Sequence, residues 1–293
     1  MNRCLRLDPH LIVVDNASGD EPESAARQWR GPTTFIALDE NVGYGAANNI
    51  GVERAATEGI VLLNPDTELL DDGLEALVAA ALSRTAIIGP RILNPDGSLQ
   101  PSASGPPVGI WPWVGAIVPG AIAPRVLAAH TEPWRIRSPV RVTWLAGACL
   151  AAPRQVLRRL GPFDPAIELY GEDMDLGLRT RPLGIECIFA PQLATIRHVG
   201  GASAARRFDD AEERARKAGN RRAVIVRAYG ARAERRGWRA DRLRLALRIA
   251  AKRLLGRDAG RDRRELNALR ATRQSPALGA APAEPATGRP ARS

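Results

Sequence analysis

Residues Gly59–Leu70 read GIVLLNPDTELL: an apolar run, Ile60 to Leu63, that stops abruptly at Asn64-Pro65-Asp66. A continuous apolar run of strand length, ended by turn residues, is the pattern of a buried strand. The same pattern occurs upstream, where Leu11-Ile12-Val13-Val14 leads into Asp15-Asn16-Ala17-Ser18-Gly19-Asp20, and again at Phe35 to Leu38 and Ala86 to Gly89. Between these runs lie helical stretches: an Ala-rich one over about Tyr44 to Thr57, and another after Asp71-Asp72, whose carboxylates suit a helix start. Strands alternating with helices at this spacing predict an α/β domain with a Rossmann-like, mainly parallel sheet flanked by helices. In such sheets ligands bind at the carboxyl ends of the strands. That places interest on the loops at Asp15, at Asn41 and at Asn64 to Asp66.

The four letters LNPD recur at Leu93–Asp96, in PRILNPDGSLQ. Here Gly97 follows and apolar Ile92 and Leu99 flank the turn, so this copy reads as a hairpin, with Asp-Gly supplying the positive φ of a tight turn. The first copy delivers Asp66 to a strand end, where a carboxylate suits a hard cation such as Mg²⁺ or Mn²⁺. Pro65 stiffens that turn and Asn64 adds a neutral oxygen, although an isolated Asn-Pro-Asp is most often a plain turn.

Two further groups have chemical potential. Glu172, Asp173 and Asp175 crowd the first turn of a helix predicted from about Glu172; acidic residues there are common for electrostatic reasons alone. Gly171 and Tyr170 before them let a loop present one carboxylate as a proton acceptor. His198, in ATIRHVGGAS, ends an apolar stretch beside two glycines, a setting that His10 and His130 lack.

The rest of the chain divides by composition. Residues 97–140 are rich in Pro, Gly and Trp and read as irregular. Short strands follow at Ile185 to Phe189 and Ala194 to His198, and a basic helical pattern runs from about Phe208 to Arg270. The formal net charge of +10 is uneven: residues 201–293 hold 25 Lys+Arg against 10 Asp+Glu, while residues 1–200 hold 17 against 22. Nearly all of the positive charge is Arg, which suits phosphates or anionic headgroups and equally a solvated helix surface. Leu243, Leu247, Ala250 and Leu254 stand at helical spacing among these arginines, the pattern of a basic amphipathic helix that lies on an anionic bilayer. A nucleic-acid partner is not expected, because no recognition motif or interleaved aromatics accompany the charge. Cys4, Cys149 and Cys187 have neither metal-ligand spacing nor a disulfide pattern, consistent with a reducing cytoplasm. The stretch Gly97 to Pro124 is uncharged but too rich in Pro and Gly for a spanning helix.

Five stretches in order resemble the family 2 glycosyltransferases with a GT-A fold, in particular their rhamnosyltransferase-like branch. They are LIVVDNASGD (11–20), NVGYGAANNIG (41–51), LLNPDTEL (62–69), WLAGACLAAPRQVLRRLGPFDPAIELYGEDMDLGLRTRPLG (144–184) and IRHVGGAS (196–203). The resemblance implies a glycosyltransferase domain over 1–205, a basic helical extension over 206–271 and a disordered tail over 272–293. It assigns Asp15 to the nucleotide base, with Asn16 and Ser18 beside it, and Asn41, Gly43 and Asn48 to the nucleotide-sugar pocket. Asp66 becomes the principal metal ligand and His198 its companion. Asp173 becomes the catalytic base with Glu172 assisting acceptor placement, and Trp144 and Gly147 fall on the acceptor side. The implied reaction is inverting transfer from a dTDP- or UDP-sugar, best matched by rhamnose, to a glycan or lipid-linked acceptor of the cell surface. It takes place in the cytoplasm or on the inner membrane face. Two departures accompany the match. Asn64 stands where the family's metal motif has Asp, and only ten residues precede Leu11, where the family places a further strand and helix. A non-catalytic, truncated GT-A-like binding protein is the alternative these departures raise.

Overall fold

A computed structural model describes residues 9–272 of the chain, apart from 20–21, 121, 162, 168 and 201–208. The first stretch runs β1 (Leu11–Asp15), α1 (Pro22–Ala26), β2 (Thr33–Ala37), α2 (Tyr44–Arg54), β3 (Gly59–Leu63), β4 (Thr67–Leu69), α3 (Leu74–Arg84), β5 (Ile87–Gly89) and β6 (Arg91–Leu93). The middle holds β7 (Ala103–Ser104), α4 (Trp111–Ile117), α5 (Arg125–Thr131), β8 (Val140–Val142), β9 (Trp144–Leu145), β10 (Cys149–Pro153) and α6 (Arg154–Leu160). Then come α7 (Glu172–Thr180), β11 (Cys187–Phe189), β12 (Thr195–His198), α8 (Asp210–Leu254) and α9 (Gly260–Ala271).

The α/β class is as the sequence predicts, but the sheets are mixed rather than mainly parallel. The central sheet has the order β3-β10-β5-β11-β8. Of its pairings only β5 with β11 is parallel; β3 with β10, β10 with β5 and β11 with β8 are antiparallel. The cause is β10, which arrives from far along the chain and inserts between two strands that are near in sequence. A second sheet, β4-β12-β6, carries β12 antiparallel to β4 and parallel to β6. β1 and β2 pair in parallel as a sheet of their own, and among the described residues no strand joins it to the five-stranded sheet.

Both faces of the central sheet are covered, and the two-residue period of a strand sorts its side chains between them. Ile60, Leu62, Leu150, Ala152, Cys187 and Phe189 pack on one side with Val156, Leu157 and Leu160 of α6. Val61, Leu63, Cys149, Ala151 and Ile188 pack on the other with Leu77 and Ala81 of α3. The continuous apolar runs of the sequence therefore report strands buried twice over. Burial pushes the Cys149 and Cys187 thiols up, to about 12 and about 11, so both stay protonated and inert.

Three local readings change. Residues 97–140 are not irregular throughout: they form β7, α4 and α5, because Pro112 sits in the first turn of α4, where a helix tolerates it. Trp111 stacks on His130 of α5, ring centroids 3.8 Å apart. Asp71 does not cap α3, which begins after Gly73 without a side-chain cap. Instead Asp71 accepts from the N–H of Gly73 and, at 2.9 Å, from that of Thr195, tying the start of α3 to β12. Finally, the helical run α8 is broken at Gly230 (φ 81°, ψ 158°), a conformation suited to glycine alone.

The first half of α8 packs directly on the α/β body. Val224 and Ile225 bury themselves against Ile167, Met174 and Leu178. Arg227 bridges Asp164 and Asp175. The second half pairs with α9 through Leu245, Ile249 and Leu266 and through buried Asp262, which meets Arg248 and Lys252. No helix among the described residues is long and apolar enough to cross a membrane. Of the tail expected to be disordered over 272–293, Thr272 is ordered at the end of α9, where its carbonyl accepts from Arg222, and residues 273–293 lie outside the described residues.

Candidate functional site

The short segment Gly147-Ala148 is the junction of the site. Because β10 pairs with β3 in the register Cys149 to Leu63, the residues just before β10 lie beside the first LNPD turn, and Asn64 donates its N–H to the Ala148 carbonyl at 3.0 Å. One residue earlier, the Gly147 N–H donates to the Asp173 carboxylate at 3.3 Å, and the Gly147 carbonyl accepts from the Tyr44 hydroxyl at 2.7 Å. Three separate segments are thus tied to two consecutive residues: the turn after β3, the start of α7 and the start of α2.

The three carboxylates of α7, equivalent as letters, have three different settings. Asp175 is buried and neutralised by Arg179 and Arg227, a structural tie between α7 and α8. Asp173 accepts two backbone N–H groups, from Met174 at 2.7 Å and from Gly147, while burial pushes its pKa upward. Glu172 is buried, and its Oε2 has no hydrogen-bond partner among the described residues. Burial and the adjacent Asp173 charge push Glu172 up to about 8. The two N–H donors make Asp173 the site of the negative charge, with Glu172 neutral beside it; unequal environments split the pair. A carboxylate with a raised pKa holds a proton it has accepted more tightly than an ordinary one does, which suits a general base. α7 sits close enough to supply this group because residue 177 is glycine: a Cβ there would lie 2.3 Å from that of Trp144. Trp144 itself packs with Met174, Leu178 and Val224, and Gly147 touches Asp173.

At the other end of the junction Asp66 and His198 meet, with Oδ1 to Nε2 at 3.2 Å. Asp66 also accepts the Gly200 N–H at 3.2 Å. When the imidazole carries its second proton it donates to Asp66 and, with the Gly200 N–H, holds that carboxyl below the usual range. The Asn64 amide lies 3.4 Å from the same imidazole nitrogen, and its Oδ1 is buried with no partner among the described residues. No group of three His, Cys, Asp or Glu side chains placed to hold a metal ion by itself occurs among the described residues. The donor set is therefore one carboxylate, one imidazole and one orphaned amide oxygen. That set fits a hard divalent cation, which takes oxygen ligands and accepts imidazole.

The residues that the resemblance assigns to the nucleotide-sugar are tied by hydrogen bonds from their side chains, most of them to backbone groups. Asn16 accepts from the Val42 N–H at 2.8 Å and donates to Asn41 at 3.2 Å, stitching the loop after β1 to the loop before α2. Asn41 accepts from the Gly43 N–H, and Gly43 (φ 88°, ψ 162°) makes the sharp turn into α2. Asp15 accepts from the Ser18 N–H at 3.1 Å, and Ser18 is exposed. Asn48 is occupied within its own helix, donating to the Tyr44 carbonyl. Its neighbour Asn49 clamps the backbone of Phe163 with both ends of its amide.

Sequence reasoning missed Tyr44, Gln100 and Asn94. Gln100 Oε1 lies 2.8 Å from His198 Nδ1, and Asn94, from the second LNPD turn, lies 2.9 Å from Gln100. Nothing local marks these residues; their partners are about a hundred positions away for Tyr44 and Gln100.

Residues 2–110 match the family model for glycosyl transferase family 2. An N-acetylglucosaminyl-diphospho-decaprenol L-rhamnosyltransferase of Mycobacterium tuberculosis is 31% identical over 209 residues, covering 64% of this chain and 66% of that protein. The chain thus spans just under two thirds of that relative's length. An O-antigen biosynthesis protein of Myxococcus xanthus is 30% identical over 213 residues, 69% of this chain and 16% of that protein. Among solved structures, a mannosyltransferase of Pyrobaculum calidifontis in complex with GDP-Man and Mn²⁺ superposes with a TM-score of 0.54 at 18% identity, covering 90% of this chain and 76% of that one. That likeness supports the GT-A fold. The order of the motifs, the family match and the mycobacterial relative agree: residues 2–110 carry a glycosyltransferase family 2 domain, and the chain is similar to the rhamnosyltransferase-like branch of that family.

Proposed function

We propose that the chain transfers a sugar, rhamnose by the branch it resembles, from a dTDP- or UDP-sugar to a lipid-linked glycan acceptor, with inversion at the anomeric carbon. The observation that carries this reading is the junction at Gly147-Ala148, which holds Asp173 and the first LNPD turn on neighbouring backbone groups. Asp173 takes the proton of the acceptor hydroxyl as its oxygen attacks the anomeric carbon, and the nucleoside diphosphate leaves from the opposite face. Neutral Glu172 keeps a second negative charge away from that step. The loops bearing Asp15, Asn16, Ser18, Asn41, Gly43 and Asn48 bind the nucleotide-sugar. Asp66, His198 and Asn64 would hold Mg²⁺ or Mn²⁺, which when bound offsets charge on the diphosphate. The relative's name supplies the acceptor class, an N-acetylglucosaminyl-diphospho-polyprenol.

The test is transfer from dTDP-rhamnose to such an acceptor, with the product's anomeric configuration read by NMR. Transfer with retention, or transfer undiminished in Asp173→Asn, would overturn the mechanism. A second reading, nucleotide binding without turnover, is favoured by one observation: β1, which bears Asp15, pairs with β2 alone among the described residues. Calorimetric titration with dTDP and Mn²⁺ separates the two, since binding without transfer supports the second and no binding at millimolar ligand sinks both.

The cytoplasmic membrane face is the proposed place of action. In α8 the leucines Leu243, Leu247 and Leu254 point outward, Leu254 being 89% exposed, while Leu245 and Ile249 pack on α9. An outward apolar stripe among arginines suits an anionic bilayer. Replacing the three by Glu should abolish cosedimentation with phosphatidylglycerol vesicles; unchanged cosedimentation removes the membrane contact.

A further inference from the structure

The second LNPD turn has a connection to the first that its hairpin role does not require. His198 has two ring nitrogens, and the chemistry of the Asp66 site depends on which one carries the proton in the neutral ring. Nδ1 lies 2.8 Å from Gln100 Oε1, and Nε2 faces Asp66 Oδ1 at 3.2 Å. Which end of the Gln100 amide is oxygen is fixed by its other contacts. The Gln100 amide nitrogen lies 2.9 Å from Asn94 Oδ1 and 3.4 Å from the backbone carbonyl of His198. A backbone carbonyl only accepts, so that end of Gln100 is the NH₂ and the end on the imidazole is the carbonyl. Asn94 is oriented by the same logic. Its amide nitrogen meets the Ser98 hydroxyl at 2.8 Å and the Leu99 carbonyl at 3.4 Å, which leaves Oδ1 to accept from Gln100. The Ser98 hydroxyl in turn donates to Asp96 at 2.6 Å.

The polarity of this chain runs one way. Gln100 accepts, so Nδ1 bears the proton, and Nε2 turns a bare lone pair toward the Asp66 carboxylate. The Asn64 NH₂ lies 3.4 Å from Nε2 and the Gly200 N–H donates to the other oxygen of Asp66, but Nε2 and Asp66 Oδ1, both acceptors and 3.2 Å apart, have no proton between them; a cation there would bridge the two, with the orphaned Asn64 oxygen nearby. We propose that Gln100 is a positioning residue, braced by Asn94 of the second LNPD turn, that fixes the His198 tautomer and ring orientation for a divalent cation at Asp66. Supports of this kind, donating or accepting behind a ligating imidazole, set ligand orientation in metal sites generally. The cation part rests on the metal site of the proposed function; the tautomer part does not.

Two readouts keep those parts distinguishable. The first is the ¹⁵N spectrum of the imidazoles without metal, at a pH where the rings are neutral. The chain has only three histidines, so His198→Gln assigns the signal. The expected result is a protonated Nδ1 and an unprotonated Nε2 in the parent, and a mixed population in Gln100→Met. A parental His198 protonated on Nε2, or an unchanged signal in Gln100→Met, overturns the proposal whatever the metal does. The second is Mn²⁺ affinity by electron paramagnetic resonance, with Mn²⁺ alone and with dTDP. Affinity should fall about tenfold or more in Gln100→Met and in Asn94→Leu. It should recover in Gln100→Glu, which restores an acceptor behind Nδ1. Parental binding that survives Gln100→Met undiminished overturns the proposal. A parent that binds no Mn²⁺ overturns its cation part and the metal site with it, while the ¹⁵N result still decides the tautomer.

Discussion

The two LNPD turns have one sequence and two surroundings. At Leu63–Asp66 the turn follows a strand buried on both faces, and its Asp66 side chain is only 21% exposed, against His198. At Leu93–Asp96 the turn leads into Gly97 (φ 81°), the Asn94 N–H closes onto the Ser98 carbonyl, and Asp96 is exposed with Ser98 as its partner. The first turn meets groups brought from β12 and from the segment before β10; the carboxylate of the second meets only its own loop. A motif's chemistry is thus set by what long-range pairing delivers to it. The Asn94 contact with Gln100 shows that even the local turn is enlisted behind the distant one.

Removing Asp66 tests this division most severely. Asp66→Ala should lower sugar transfer by roughly 10²-fold or more, the scale lost when a preorganised electrostatic group is deleted. The same assay on Asp173→Asn should show a loss of about 10² to 10⁴, the contribution of a placed general base. Comparable transfer by Asp66→Ala and Asp96→Ala would erase the distinction between the turns.

A second difference separates carboxylates that face the junction from those that face solvent or a partner, and pH reads it. The folded chain holds Glu172 near 8 against an ordinary 4.5, so folding retains a proton that the unfolded chain releases. The resulting stability is fully present below about pH 4.5 and is lost as pH rises through 8. The slope should reach at most about 1.4 kcal/mol per pH unit across that window. Glu172→Gln, neutral at every pH, should flatten the profile, as chemical denaturation between pH 5 and pH 8 would record. An unchanged slope would mean that Glu172 ionises as freely as an exposed residue.

Much of this organisation was legible in the chain. The apolar runs ending at Asp15 and Leu63 are strands, Glu172 does start a helix, and the second LNPD is a hairpin, because period, punctuation and turn chemistry are local properties. What escaped were pairings. Nothing near Gly59 says that β10 lies beside it in antiparallel register, so the sheet read as mainly parallel. Nothing near Tyr44 or Gln100 names Gly147 or His198 as their partners. The helices α4 and α5 were hidden for another reason, since proline in a helix's first turn has the same letter as proline in a loop. At α7 composition showed three carboxylates and only burial distinguished them.

Backbone geometry gives a smaller separation between the turns. Gly97 has φ 81° with open space around its missing Cβ, so Gly97→Ala is opposed by conformation and not by collision. The expected cost is about 1 kcal/mol, typical of placing a side chain at positive φ, read as a lowered midpoint in urea. Transfer should be retained, provided Asn94 keeps its place behind Gln100.

The smallest effect belongs to Asp96. Its carboxylate is held below the usual range by the hydroxyl and N–H of Ser98, contacts within the loop's own few residues. An exposed carboxylate of this kind gains little from its partners, because water replaces them at almost equal free energy. Asp96→Ala should leave the transfer rate within assay scatter and the melting temperature nearly unmoved. The Ser98 hydroxyl then loses its acceptor but keeps Asn94, so the brace on Gln100 and His198 should persist with Mn²⁺ affinity unchanged. A clear loss of Mn²⁺ binding in Asp96→Ala would extend the working part of the second turn to its outermost residue, and the functional border would then lie in solvent rather than at Asn94.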